Sequence, residues 1–425
     1  MRQLTILSRS LCATLCILAT HCAIAENLQQ AWDAAIAADP QLKATRSSTA
    51  AAMDSLSAAK SARLPNVALE GGHTTLSTTP AITFGGAEVP FSQRNSSTYR
   101  VTAALPLYTG GRLSEAVAAA GSVADASALA EKSAAQDLKL RVAEAYVAVL
   151  RANRGVRLAQ KHADSLQAHA RDVSQLREQG MAVKSAELSV QVSQLEARQK
   201  LLQAANTLEL SRAAYNRLLG RPLDQLVDLE DISPRGRDAS AEELASRALI
   251  QRSELEVMDL QVDALRHQAR AIAGASRPQV GLTADYGRMQ DRYLSEDRGW
   301  AVSLGVRWNV FDGGLTRASA SAVDHQAASL ADQREDLRSA IRLQVRQAWL
   351  DVQASNAQLS VTEAAVTQAD ENLRVARDRY SNGLASHTEV LDAEALRVAA
   401  ETQDASSHFD AVLNELRLER AAGDL

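Results

Sequence analysis

The hydrophobic pattern of this chain alternates between two periods. Over 112–220 and 315–422, apolar residues recur at spacings of four and three, which predicts two hairpins of very long helices. Before each hairpin come two short stretches in which apolar and polar residues alternate, and these predict strands at 66–76, 98–107, 279–289 and 300–310. A further helix precedes each strand pair, over 28–62 with a break at Pro40 and over 241–275. The expected fold class is therefore mainly α with β.

The long helices carry an unbroken apolar seam. The seam of the first is Leu138, Val142, Ala145, Val149, Ala152, Val156, Ala159, Ala163, Leu166, Ala170 and Val173. In the second half it recurs from Ile341 to Ala376 with Ser355 and Thr362 as exceptions, and the returning helix has Leu391, Ala395, Val398, Ala405, Phe409, Val412 and Leu416. A period of 3.5 residues predicts coiled-coil packing with a left-handed supercoil. A simple rod-like coiled coil would explain the helices, but not the strands.

The two halves repeat each other. Residues 108–112 recur as 311–315, a shift of 203, and the same shift superimposes Tyr146 on Trp349 and Gly180 on Gly383. Upstream the shift is 213, because the first half has ten extra residues between 74 and 97, where glycines and prolines predict a loop. We therefore predict a first unit over 26–230, a linker over 231–240 and a second unit over 241–425.

The strands have the length and pattern of membrane strands. Each is about ten residues long, with one apolar face and one polar or small face that includes arginine. Tyr99 and Trp300 lie near strand starts, and Tyr108 and Trp308 near strand ends, as aromatic anchors at two membrane surfaces would. A soluble sandwich has the same alternation, but nothing in the sequence would cover such a sheet. Four strands cannot close a barrel in lipid, so the chain is expected to oligomerise around a pore.

Composition and charge narrow the function. The chain has 425 residues, is 46% hydrophobic and only 4% aromatic, and has a net charge of -5, which argues against nucleic acid as a partner. Residues 1–25 are predicted to be a signal peptide, with Arg2 and Arg9 before an apolar stretch and a cleavage motif at 23–25. A lipoprotein signal is the alternative. All three cysteines lie in this segment, so the mature chain can form neither a disulfide nor a thiolate metal site.

These features, with the segments 379–392 (RYSNGLASHTEVLD) and 108–112 (YTGGR), resemble the TolC family of outer-membrane efflux channels. The likeness covers essentially the whole mature chain. It implies a homotrimer with a 12-stranded β-barrel in the outer membrane of a Gram-negative bacterium and a twelve-helix tunnel in the periplasm. The implied partners are a periplasmic adaptor, an inner-membrane pump and the lipid bilayer. The implied role is passive export, favouring small-molecule efflux over type I protein secretion.

The resemblance also implies site residues. The periplasmic turns that contact the adaptor are Gly180, Met181, Ala182, Gly383, Leu384 and Ala385. Glu389 and Asp392 resemble the acidic rings of the pore constriction, where six carboxylates from three subunits would favour cations. The alternative is that acids in the first turn of a helix simply complement its dipole. The first unit has Ala186 and Ser189 at the matching positions, so one hairpin alone supplies the acids.

Arg377 and Tyr380 resemble residues that hold the tip closed by hydrogen bonds and ion pairs. Here the chain departs from the family pattern. Ala186 stands where the family has an aspartate partner, Ala385 stands where it has an arginine, and Glu187 is expected to point elsewhere. We therefore expect a weaker or differently built tip lock.

No residues indicate an enzyme. The mature histidines have no metal-ligand spacing and are expected on helix surfaces, and the Gly-Gly segments lack the lysine of a phosphate loop. We expect no catalytic residue, no cofactor and no metal. The competing function is a secreted periplasmic coiled-coil adaptor or scaffold without a pore.

Overall fold

A computed structural model describes residues 25–236, 239–291 and 296–425, so residues 1–24 of the predicted signal peptide lie outside the described chain. The first unit contains α1 (Leu28–Ala38), α2 (Pro40–Ser61), β1 (Asn66–Thr75), β2 (Ala81–Phe84), β3 (Ala87–Pro90), β4 (Asn95–Tyr108), α3 (Arg112–Glu178) and α4 (Lys184–Leu218). The second contains α5 (Ala241–Gln251), α6 (Ser253–Gly274), β5 (Gln279–Gln290), β6 (Arg298–Arg307), α7 (Leu315–Ser381) and α8 (His387–Ala422).

The helix that precedes each strand pair is broken in both units. In the first, the Asp39 side chain accepts a hydrogen bond from the Leu42 N–H (2.7 Å), and Pro40 begins α2. The prediction of one helix over 241–275 was wrong, because Arg252 has an extended backbone (φ -74, ψ 113) and separates α5 from α6. Asp39 and Arg252 are 213 residues apart, so the break follows the duplication even though the second unit has no proline there.

Four strands form one antiparallel sheet in the order β1-β4-β5-β6. The register places the apolar side chains on one face, in rows such as Leu69, Val101, Tyr286 and Trp300. The opposite face is polar, and on it the Thr102 hydroxyl donates to the Asp285 carboxylate (2.6 Å). The predicted alternation is therefore present in the sheet, with the apolar side chains exposed on one face.

Two strand details differ from the predictions. The ten extra residues do not form a simple loop, because β2 and β3 pair around Gly85 and Gly86, whose positive φ angles suit a two-residue hairpin turn. The last strand ends at Arg307 and not at 310. Beyond it, the Trp308 indole donates to the Ser276 carbonyl (3.0 Å), so the chain has left the sheet to contact the end of the α6 segment.

The hairpins pack along the predicted seams. Both α3 and α7 have 67 residues, and α7 covers the stretch without Gly or Pro. The two polar exceptions are buried and bonded, with the Thr362 hydroxyl placed 3.2 Å from Asp404 on α8. Ala395 was assigned to the seam wrongly, because it is exposed and Ala393 and Glu394 are buried instead. At that level α8 packs against both α7 and α3, which moves its buried face.

Hydrogen bonds from the middle of the long helices fix the segments that enter each unit. The Tyr146 hydroxyl lies 2.8 Å from the Glu26 carbonyl and 2.6 Å from the Glu230 carbonyl. The Trp349 indole, at the matching position of the second unit, donates to the Ala239 carbonyl (3.0 Å). The duplication therefore preserves this anchoring as well as the helices. Across the described helices, none combines the length and the apolarity needed to cross a membrane.

Candidate functional site

Four exposed aromatic side chains lie at two levels of the sheet. Trp300 is 77% exposed and pairs with Tyr286 across β5 and β6, and Tyr99 lies at nearly the same height on β4. Tyr108 and Trp308 lie at the other end, next to the helices. Eight residues separate the two tryptophans, which is at most about 26 Å of extended chain. Their role as membrane anchors stays a prediction.

The far ends of the two hairpins have the same turn geometry. Gly180 and Gly383 have φ values of 76° and 73°, in the left-handed region that glycine adopts without strain. The glycine N–H donates to the carbonyl three residues before it (2.9 and 3.0 Å), and the next N–H donates to the carbonyl five before it (2.8 Å in both). This pattern satisfies the last carbonyls of α3 and α7 and reverses the chain at each tip.

Apolar side chains project from both tips. Met181 is 65% exposed, Val183 is 67% exposed and Leu384 is 69% exposed. The small residues beside them, Ala182 and Ala385, are both half-buried. No other described part of the chain covers these side chains, so the tips offer an apolar surface with an accessible backbone. Contact with an adaptor stays a prediction.

The two candidate constriction acids differ in their surroundings. Glu389 forms a capping box with Ser386, accepting from its backbone N–H (3.1 Å), and lies 3.7 Å from Arg379. Glu389 therefore has the helix-capping role that was the alternative to a pore ring, although half of its side chain remains exposed. Asp392 is exposed and makes no hydrogen bond or ion pair with the described residues. Neither observation tests a pore function.

Arg377 contacts a buried acid that the sequence analysis did not single out. Its guanidinium donates to the Ser165 hydroxyl (2.6 Å) and to the Glu394 carboxylate (3.1 Å). Glu394 also accepts from Arg397 (2.9 Å) and lies 3.5 Å from His162 Nδ1. Ser165 and His162 belong to the first hairpin, and the other three residues belong to the second. Arg377 thus bonds across the two hairpins, through partners other than those that the resemblance implied.

Glu394 remains ionised despite its burial. It is 2% exposed, and burial alone would raise its pKa. Interactions with three neighbours outweigh burial and lower the pKa to about 2. They are the hydrogen bond with His162, the charge and hydrogen bond of Arg397, and the hydrogen bond from Ser165. The cluster is therefore a buried anion held by cations and hydrogen-bond donors from both hairpins.

Tyr380 lies against the first hairpin through apolar and aromatic contacts. Its ring packs on the apolar cluster of Val173, Ala186 and Val190, and meets His169 edge to face at 5.6 Å. The position where the family has an aspartate is therefore part of an apolar patch under the tyrosine. As expected, Glu187 points elsewhere, because it pairs with Arg177 within the first hairpin.

The expectation that every histidine lies on a helix surface was wrong for His73, which lies on β1, and for His169, which is buried. His169 is 9% exposed, and its Nε2 is buried without a hydrogen-bond partner among the described residues. Burial lowers its pKa, and the charges of Asp172, Arg377, His387 and Glu394 act on it more weakly and in opposite directions. In the sequence, the available signal was the position of His169 next to seam residue Ala170. In the structure, this side of α3 faces Tyr380.

The described residues contain no group of three His, Cys, Asp or Glu side chains that could hold a metal ion. Apart from the buried Nε2 of His169, the polar side chains described above at the tip are bonded or exposed.

Known proteins resemble this chain over most of its length. A family model described as outer membrane efflux protein matches residues 31–221 and 244–424. Among curated proteins, the outer membrane protein TolC of Escherichia coli K12 is 24% identical over 180 residues, which are 39% of this chain and 36% of that protein. The alkaline protease secretion protein AprF of Pseudomonas aeruginosa is 24% identical, over 69% of this chain and 63% of AprF. The match therefore spans about one third of the length of TolC from Escherichia coli and somewhat under two thirds of the length of AprF.

A longer match and two solved structures cover nearly the whole chain. TolC of Vibrio cholerae is 23% identical, over 94% of this chain and 91% of that protein. The outer-membrane channel OprN has a TM-score of 0.81 at 18% identity, over 94% of this chain and 90% of OprN. The outer membrane protein VceC of Vibrio cholerae has a TM-score of 0.80 at 18% identity, over 93% and 96%. At these identities, the structural likeness establishes the fold.

Proposed function

Because this chain belongs to the outer membrane efflux protein family, we propose that three copies form the outer-membrane duct of a tripartite export system. In this assembly the sheets join into a 12-stranded barrel, and the four long helices of each copy contribute to a twelve-helix tunnel. The tunnel extends into the periplasm and ends at the hairpin tips. The duct itself is passive, and an inner-membrane pump supplies the energy.

The open sheet is the observation that carries this proposal. Within the described chain, β1 and β6 each have one edge without a strand partner, while the apolar face is exposed. Lipid cannot satisfy the backbone N–H and C=O groups of such edges, so a spanning sheet has to close. Four strands are too few for closure, and three copies supply twelve.

The helices support the same conclusion. Exposed leucines and valines follow coiled-coil spacing on α4, at Leu188, Val192, Leu195 and Leu202. Further exposed leucines lie on α7, at Leu343 and Leu350. Such stripes on long helices suit packing against neighbouring copies. A scaffold without a pore would leave the membrane-type sheet without a role, so we do not favour it.

The hairpin tips are proposed to meet a periplasmic adaptor through residues 180–182 and 383–385. The glycine turns present backbone and apolar side chains there, which suits a helical partner of similar shape. For cargo we propose small molecules, with type I protein secretion as the alternative. The relative AprF carries protease secretion in its name, which supports this alternative.

Glu389 and Asp392 are proposed to line the pore constriction. Three copies would bring six carboxylates together near the tips, and such a ring favours cations. The capping bond of Glu389 does not prevent this, because half of its side chain stays exposed.

Single-channel recording in planar bilayers tests this function. We expect discrete openings of the detergent-purified protein with a preference for cations, and a smaller preference in Glu389→Ala/Asp392→Ala. Unchanged selectivity in the double variant would reject the acidic constriction but keep the duct. A protein that conducts under no condition and fractionates as a soluble species would reject the duct in favour of the scaffold.

A further inference from the structure

We propose that Glu394 is the positioning residue that holds the two hairpins together near the tip and so keeps the duct closed. This inference rests on the proposed function as an export duct. It concerns a different residue from the constriction acids, and a different mechanism, since Glu394 faces the interior of one subunit and not a pore.

The bonds of the cluster divide into those within one hairpin and those between the two. Arg377 and Arg397 lie on α7 and α8, so they would move together with Glu394. His162 and Ser165 lie on α3 and would stay behind. Separation of the hairpins therefore breaks the contact between Glu394 and His162 (3.5 Å), the bond that Arg377 donates to Ser165 (2.6 Å) and the bond between Ser165 and Glu394.

Burial makes these contacts matter for closure. Glu394 is 2% exposed and the His162 side chain is 12% exposed, so water replaces the lost partners only after the hairpins have moved apart. A buried carboxylate that loses a partner is costly until it is hydrated. The closed arrangement is therefore favoured as long as the acid is charged and both hairpins contribute donors.

The cluster is specific to the second unit. At the shift of 203, Glu394 corresponds to Gln191, Arg377 to Ser174 and Arg397 to Gln194. Gln191 is exposed. The duplicated fold therefore does not require an acid here, and the charged side chains serve the joining of one hairpin to the other.

Among the described residues, the tip turns supply no equivalent ionic bond between the hairpins. Tyr380 rests on the apolar patch that contains Ala186, and Arg379 braces its own turn by donating to the Leu384 carbonyl (3.2 Å). The Glu394 cluster lies further along α8 than the turn and provides the charged link between hairpins at this end.

The test compares Glu394→Gln with Glu187→Gln. Glu187 is also a buried acid near the tip (8% exposed), but its partners Arg177 and Ser174 belong to its own hairpin. We expect Glu394→Gln to raise the open probability in planar bilayers about tenfold, as the loss of a charged hydrogen bond would. Glu187→Gln should leave it unchanged, and Glu394→Asp should fall between Glu394→Gln and the wild type.

A second measurement does not depend on conduction. Spin labels on cysteines introduced at 182 and 385 report the distance between the tips, since the mature chain has no other cysteine. Labelled protein is diluted with unlabelled protein, so that distances within one subunit dominate. We expect a longer and broader distance distribution in Glu394→Gln and in His162→Phe, but not in Glu187→Gln.

The outcomes distinguish an error in the role proposed for Glu394 from an error in the proposed duct. If Glu394→Gln leaves both the tip distance and the open probability at wild-type values, or if Glu187→Gln changes them equally, the proposal is wrong. If the tips separate in Glu394→Gln but neither the wild type nor any variant conducts, the role of Glu394 in joining the hairpins is correct and the proposed duct is wrong.

Discussion

Replacing Arg420 by methionine should destabilise the protein far more than the same change at Arg417, one turn earlier on α8. Arg420 is 8% exposed and donates to Glu254 on α6 (2.7 Å) and to Asp137 on α3 (2.8 Å). It therefore joins three helices from both units. Arg417 pairs with Glu144, but these side chains are 50% and 40% exposed.

The magnitude follows from the state of Glu254. Burial raises its pKa, but the hydrogen bonds from Arg252 and Arg420 lower it more, from 4.5 to about 2. Such a shift corresponds to about 3 kcal/mol of stability at neutral pH. In Arg420→Met, Arg252 still stabilises the charged Glu254 in part, but Asp137 loses its partner. We therefore expect the free energy of unfolding to fall by about 2–3 kcal/mol. The exposed Arg417 pair should contribute less than about 1 kcal/mol.

Thermal unfolding in detergent, followed by far-ultraviolet circular dichroism at one scan rate, measures the difference. Arg420→Met should unfold several degrees below Arg417→Met. Because the pKa of Glu254 is lowered in the folded state, its contribution is complete above about pH 4.5 and is lost as the pH falls toward 2. The gap between the variants should therefore narrow in acid. Equal midpoints at neutral pH, or a gap independent of pH, would refute the reasoning.

Two further predictions concern a pair of glycines at matching positions and a buried histidine. Gly110→Ala should destabilise the protein by about 2 kcal/mol more than Gly313→Ala, since both have positive φ, but only at Gly110 would the new Cβ come within 2.5 Å of the Gly274 carbonyl. Equal thermal midpoints would contradict this steric difference. His169→Phe should remove an acid-induced opening of the tip: burial lowers the His169 pKa, so the closed state loses stability as the pH falls below about 6.5. The tip spin-label distance across pH 5–8 checks this, and a wild-type distance independent of pH would disprove it.

Much of the fold could be predicted because the sequence is repetitive and its helices lack breakers. The absence of Gly and Pro over 315–381 matches the bounds of α7, and alternation identified the sheet faces. The break at Arg252 was not predicted, because no helix breaker marks it. It became interpretable only through its correspondence with Asp39 at the shift of 213.

The tip cluster could not be predicted from local sequence. Glu394 looks like any acid on a helix surface, and His162 is 232 residues away from it in sequence. Only the packing of α8 against α3 as well as α7 buries the acid and supplies its partners. By contrast, the tip glycines were recognisable because each ends a long helix, where a left-handed residue is required.

Disulfide cross-linking between sheet edges tests the trimeric duct most directly. Residues 26–425 contain no cysteine, so with the predicted signal peptide removed Leu69→Cys on β1 can be combined with cysteines at 300, 302 or 304 on β6 without background. If three copies close one barrel, oxidation in outer membranes should give a covalent trimer for one register of the β6 cysteine, and no larger species. Monomers at every register, or a ladder extending beyond three copies, would contradict the closed twelve-stranded barrel.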